Sequence, residues 1–275
     1  MKIIGISGLG IVGTAMYSSL QAKNYILGDN LFIYDKYKND NGNFDDLLLT
    51  DILFLALPTQ YDSNSKTYCL DPITETLDIL KIRNYKGTIV IKSTVLPKTI
   101  DQLIFKYGLD LVHNPEFLTA RSAFEDFHCQ KHIVLGKGLG CDNIKFESVI
   151  SFYKSNYPDA EISICKASES ESMKLFLNTF YATKVQFFTE IFLLCNKLGI
   201  EYDNVKELML KNKWINPMHT NIPGPDGKIS YGGLCFPKDT NAINQFMENL
   251  NVSHKVLDAV ISERDDMRNE QDNMI

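Results

Sequence analysis

Short apolar, β-branched runs alternate with amphipathic stretches through roughly the first 165 residues, the pattern of a parallel sheet covered by helices on both faces. The runs Lys2–Ser7, Leu31–Asp35, Ile52–Leu57, Thr88–Lys92, Leu109–His113, His132–Gly136 and Glu161–Lys166 predict strands. They are apolar almost without interruption, as strands buried on both faces are. Between them, Asp71-Pro72 predicts a helix start with the aspartate as cap and the proline first in the helix, and Asp142–Tyr153 predicts another helix.

The period changes at Lys166. Ser168-Glu169-Ser170-Glu171 has the form of a capping box, serine followed three residues later by glutamate. A long helix is predicted from Glu169 to about Lys197, where Met173, Phe176, Phe180, Phe187, Ile191 and Leu194 recur at three- and four-residue steps until Gly199 stops it. A helix over Asp203–Asn212, a Pro/Gly-rich loop from Asn216 to Gly233, one last helix from Asp239 to about Asn269 and a polar tail Asn269–Ile275 complete the reading. The fold class expected is α/β: a Rossmann-type doubly wound sheet over residues 1–166, then an all-helical domain over 167–275.

Composition narrows the class. With 44% hydrophobic and 23% charged residues the chain is globular, and its formal net charge of −6 gives no attraction for nucleic acid or anionic lipid. The six cysteines form no CxxC pair and the five histidines no ligand spacing, so neither a disulfide scaffold nor a metal site is expected. Without a signal-peptide pattern or a run of 18 apolar residues, the expected location is the reducing cytoplasm.

Candidate chemistry begins at Gly8-Leu9-Gly10-Ile11-Val12-Gly13, a GxGxxG directly after a strand and before a helix. Its glycines allow a tight turn and close approach of a pyrophosphate to a helix N-terminus. Asp35 follows Gly13 by 22 residues at the end of the second strand, placed to accept from a ribose 2′-hydroxyl and to repel a 2′-phosphate, which favours NAD over NADP. Ala56-Leu57-Pro58-Thr59, Lys92-Ser93-Thr94-Val95 and His113-Asn114-Pro115-Glu116-Phe117-Leu118 follow later strands, where open α/β sheets bind ligands. Lys174 and Asn178 share one face of the long helix. Cys235, within Gly232-Gly233-Leu234-Cys235-Phe236-Pro237-Lys238-Asp239, precedes a helix start and a lysine, a setting that favours the thiolate of a nucleophile.

Together these motifs resemble the UDP-glucose/GDP-mannose dehydrogenase family, in the family's order and over nearly the whole chain. The Pro-Glu-Phe triplet is similar to the UDP-glucose and GDP-mannose branches. The resemblance implies a four-electron oxidation of a sugar C6 alcohol to a carboxylate with two NAD molecules in turn. It implies that Cys235 attacks the intermediate aldehyde, that Lys174 and Asn178 stabilise the oxyanion, that Asp239 acts as base with a water held also by Thr94, and that Glu116 assists thioester hydrolysis. It further implies NAD contacts from Gly8, Gly10, Ile11, Val12, Gly13, Asp35, Pro58, Thr59, Thr94, Glu116 and Lys238. The sugar nucleotide would meet Glu116, Phe117, Leu118, Lys174, Asn178, Gly232 and Cys235. A homodimer through the long helix is implied as well.

Three departures from the family are visible. Only fifteen residues separate Asp35 from Asp51, Ala120 stands where many members carry an acid, and the family's second Rossmann-like domain is expected to be missing, or supplied by a separate chain. Two alternatives stay open: a degenerate NAD-binding protein without productive turnover, and a hydroxyacid or 6-phosphogluconate type of dehydrogenase, against which the Cys235 loop speaks.

Overall fold

The computed structural model describes residues 2–38 and 42–272; the last residues of the predicted polar tail, 273–275, lie outside the described residues. The chain forms two compact units. One comprises Met1–Gln60 and Tyr68–Lys174, the other Tyr61–Thr67 and Leu175–Ile275.

In the first unit, β1 (Ile4–Ser7), β2 (Leu31–Tyr34) and β3 (Ile52–Leu55) are followed by a small hairpin of β4 (Tyr61–Asp62) and β5 (Thr67–Tyr68), whose turn belongs to the second unit. Then come β6 (Thr88–Ile91), β7 (Leu111–His113), β8 (His132–Lys137) and β9 (Glu161–Lys166). Among the described residues the main sheet runs β2-β1-β3-β6-β7-β8-β9, parallel except where β8 pairs antiparallel with β7. Every residue of β1, β3 and β6 is buried, the reason these runs read as unbroken apolar stretches. Each such Ile or Leu contributes about 1.5–3 kcal/mol of burial. Order reverses on either side of β1, so the C-terminal ends of β1 and β3 flank a switch point, where α/β sheets bind ligands.

The connecting helices are α1 (Ile11–Ala22), α2 (Asp71–Ile82), α3 (Thr99–Tyr107), α4 (Ala123–His128) and α5 (Asn143–Asn156). Asp142 caps α5, accepting from the Lys145 N–H at 3.0 Å. Asp71 does not cap α2: Leu70 holds that position, and Asp71 and Pro72 are the first helical residues. Between Asp35 and Asp51 the described residues include a 3-10 segment, Phe44–Leu49.

The long helix α6 spans Ala167–Leu198, its first two turns in the first unit and the remainder in the second. Ser168 is not its cap. The helix begins earlier, and Glu169 reaches back to the Lys166 N–H at 2.8 Å, so the glutamate half of a capping box operates without the serine half. Glu171 serves α3, where its carboxylate accepts from the N–H groups of Lys98 (2.6 Å) and Ile100 (2.7 Å). The second unit adds α7 (Tyr202–Lys211), α8 (Phe236–Asn249) and α9 (Lys255–Asp272). The one last helix expected from Asp239 is therefore two. The chain breaks at Leu250–His254, where Asn251 takes a left-handed φ of 57° and the His254 ring bonds the Val252 carbonyl at 2.7 Å. Phe188, Cys195, Tyr202 and Ile222 form one core of this unit; Ala182, Tyr231 and Val260 form another.

Candidate active site

In the first unit the glycine-rich turn fits a pyrophosphate. Gly8 has a φ of 91°, and a Cβ there would stand 2.5 Å from the Ala56 carbonyl oxygen; a Cβ on Gly13 would stand 1.8 Å from that of Gly8. Gly10, the cap residue of α1, faces open space and brings no side chain to cap the first turn of the helix. The N-terminal N–H groups of α1, with Ile11 exposed and Val12 half-buried, are thus presented to an anion. Asp35 lies just past β2. Its Oδ2 accepts from the Leu9 N–H at 2.7 Å and its Oδ1 from the Tyr37 N–H at 3.0 Å, which ties the acid to the turn. Lys38 donates to the Leu9 carbonyl from the other side.

The strand-end loops are stitched together. Thr59 donates to the Thr94 carbonyl at 2.7 Å and Ser93 to the Leu57 carbonyl at 2.6 Å, while Pro58 stays exposed. Glu116, half-buried just past β7, accepts from the Leu118 N–H at 3.1 Å. Its other oxygen lies 3.9 Å from Lys174 Nζ, which also sits 5.4 Å from the Phe117 ring centre. Lys174 is only 7% exposed, so its partners are this carboxylate and this ring rather than water.

Behind Glu116 stands a buried set that the motifs alone did not reveal. Lys92 donates to the Asn114 carbonyl (3.0 Å) and Oδ1 (2.7 Å); Asn114 donates to the Val134 carbonyl at 2.8 Å, and Tyr153 donates to Asn114 Oδ1. Burial pulls the Lys92 ammonium down to about 7, with Glu116 opposing and Lys174 reinforcing the shift. His113 bonds Ser170 Oγ at 2.9 Å and is pulled down to about 3, again mainly by burial, so it is neutral near pH 7. A lysine closing an otherwise apolar strand run is the signal that could have marked Lys92.

In the second unit, Asp239 is wholly buried in the first turn of α8. Asn178 donates to its Oδ2 at 2.6 Å, and Lys238 Nζ lies 2.5 Å from its Oδ1. The Asp239 N–H bonds the Cys235 carbonyl at 3.0 Å, closing the first helical turn. Cys235 is the residue that leads into α8, and it is exposed. Gly232 is half-buried against the guanidinium of Arg268. Predicted residues thus meet as Glu116, Phe117, Leu118 and Lys174 in one unit, and as Asn178, Lys238 and Asp239 beside Cys235 in the other. Among the described residues no group of three His, Cys, Asp or Glu side chains is placed to hold a metal ion, and no helix is long and apolar enough to cross a membrane.

Comparison with known proteins gives this geometry a context. Residues 32–155 match the NAD binding domain of the UDP-glucose/GDP-mannose dehydrogenase family, and residues 168–264 match the central domain of the same family. The UDP-glucose 6-dehydrogenase of Rickettsia bellii is 31% identical over 225 residues, 79% of this chain and 50% of that protein. The GDP-mannose 6-dehydrogenase of Pseudomonas syringae is 28% identical over 195 residues, 66% of this chain and 42% of that protein. A solved UDP-glucose dehydrogenase from the archaeon Pyrobaculum islandicum, 25% identical, superposes with a TM-score of 0.82, covering 96% of this chain and 68% of that one. The chain spans about half the length of the curated relatives it matches.

Proposed function

We propose, for a chain that belongs to the UDP-glucose/GDP-mannose dehydrogenase family, that it oxidises the C6 alcohol of a nucleotide sugar, UDP-glucose by preference, to the uronate. The observation that carries the reading is the second unit's cluster: a buried carboxylate held by two donors, one helical turn beyond an exposed thiol. The first unit's turn, with the N-terminus of α1 and Asp35, offers a site for NAD. When bound, NAD supplies the hydride acceptor.

The chain's own residues then divide the chemistry. Asp239 takes the hydroxyl proton as C6 is oxidised to the aldehyde, held in place by Asn178 and Lys238. The Cys235 sulfur adds to the aldehyde carbon, and the oxygen becomes the alkoxide of a thiohemiacetal. Lys174 and Asn178 stabilise that oxyanion. Loss of the second hydride leaves a thioester on Cys235. Water, oriented by Glu116, attacks it; the C–S bond breaks, and the carboxylate and the thiol are released. The sum is R–CH2OH + 2 NAD⁺ + H2O → R–COO⁻ + 2 NADH + 3 H⁺. A nucleophile that works only when reduced suits the cytoplasm.

Cys235→Ser tests the assignment. A serine hydroxyl is scarcely ionised near neutral pH, so acid formation should fall by at least about a thousandfold. Mass spectrometry of wild type under turnover should find the sugar adduct on the peptide carrying Cys235. Wild-type uronate production by the serine variant would remove Cys235 from the mechanism.

A further inference from the structure

Arg268, in the last turns of α9, is 8% exposed and is not used by the chemistry above. Its Nη1 donates to Asp226 Oδ2 at 2.6 Å and its Nη2 to the Ser230 carbonyl at 2.7 Å, both in the loop that leads to Cys235. Among the described residues its buried Nε has no acceptor. Burying a cation with one N–H unmet is costly, and an aliphatic side chain would fill the same space without that cost. What a guanidinium alone supplies is a planar fork, binding two acceptors at once, and a flat face.

That face is in use. A Cβ built on Gly232 would stand 2.9 Å from Nη2, 3.0 Å from Cζ and 3.1 Å from Nη1 of Arg268, so the Gly232 backbone lies on the guanidinium plane. Gly232 has no left-handed φ, so the contact rather than the backbone excludes a side chain there. The loop is tied to α6 as well, where Ser230 Oγ donates to Gln186 Oε1 at 2.5 Å and the Ser230 N–H donates to Thr189 Oγ1 at 3.1 Å. We infer that Arg268 is a positioning residue: its fork and flat face fix Asp226, Ser230 and Gly232, and thereby set where the Cys235 thiol stands at the start of α8.

The consequence for turnover rests on Cys235 being the nucleophile, but the positioning itself is measurable without substrate or NAD. Iodoacetamide alkylation of the purified chain, resolved by mass spectrometry for each cysteine, gives the rate at Cys235 relative to exposed Cys129 in the first unit. Arg268→Met should lower that ratio about threefold at pH 7, as the thiol drifts from the helix N-terminus, and the loss should vanish near pH 10, where thiols ionise unaided. Arg268→Lys, which keeps the charge but not the plane, should lose as much. Gly232→Ala should reproduce the loss with Arg268 intact, and the double variant should add nothing further. If Arg268→Met fails to fold, buried Cys141 and Cys195 become alkylated, and Gly232→Ala then carries the test. A Cys235/Cys129 ratio unchanged in the folded variants, or restored in full by Arg268→Lys, would overturn the inference. Failure of Cys235 as nucleophile would instead appear as uronate formation by Cys235→Ser, with the alkylation pattern untouched.

Discussion

Lys92 is a buried charge in the first unit. It reaches its partners through Asn114, whose neighbours in sequence carry Glu116, so one ammonium holds the base of the loop that presents the carboxylate. Its proton equilibrium makes a stability prediction. The folded chain holds Lys92 at about 7 against a usual 10.5, so between those values the unfolded chain carries a proton that the folded chain lacks. Stability contributed by this group therefore rises with pH through that window, by up to about 1.4 kcal/mol per pH unit for one proton. Below pH 7 both states are charged and the slope disappears. In urea titrations, the stability of wild type minus that of Lys92→Met should climb from pH 7 to 10 and be flat from pH 5 to 6.5. A flat difference throughout would mean that Lys92 stays charged, with Glu116 outweighing burial. Little of this was legible in the sequence, because the partners of Lys92 lie 22 residues away and those of Arg268 lie 38 and 42 residues away. Spacing rules see neighbours on one helix face, as for Lys174 and Asn178, and not contacts made by folding.

At the scale of elements, Glu171 joins the start of α6 to the start of α3. Glu171→Ala leaves the Lys98 and Ile100 N–H groups without their acceptor and should cost about 1–3 kcal/mol in denaturant unfolding. Glu171→Gln, which keeps one acceptor oxygen, should lose less. Equal stability of the alanine variant would show that water replaces the carboxylate. Strands β1, β3 and β6 were legible because burial on both faces demands unbroken apolar runs; β9 falls on Glu161–Lys166 as read, although none of its residues is buried. Helix starts were less so. Asp71 and Ser168 are good cap residues by type, but capping is a matter of backbone angles and of which N–H is left over, and Leu70 and Lys166 occupy those places. The break between α8 and α9 was missed because apolar spacing continues through Leu250, Val252 and Val256, while the turn depends on a single left-handed Asn251. The glycine-rich turn was legible because its backbone geometry is dictated by local sequence.

For the whole molecule, the exposed surface of α6 makes the strongest statement. Phe188 is buried and Phe192 packs into the core of the second unit, but Phe176, Phe180, Phe187, Leu194 and Leu198 remain at least half exposed along the helix. An apolar stripe of this extent marks an interface, and a two-fold pairing of two copies would cover it with itself. Light scattering should therefore report a dimer, which Phe180→Glu combined with Phe187→Glu should dissociate without unfolding. A wild-type monomer would sink this assembly.

Counting reduced cofactor against sugar consumed is the decisive measurement for the proposed four-electron oxidation. Purified chain with NAD and UDP-glucose, followed by absorbance at the nicotinamide band and by chromatography of the sugar nucleotide, should yield two NADH for each UDP-glucose consumed, with the uronate as product. GDP-mannose in parallel decides between the family's branches. One NADH per sugar with an aldehyde accumulating would contradict the thiol mechanism, and no NADH from either sugar nucleotide would leave the chain a dinucleotide-binding protein without this activity.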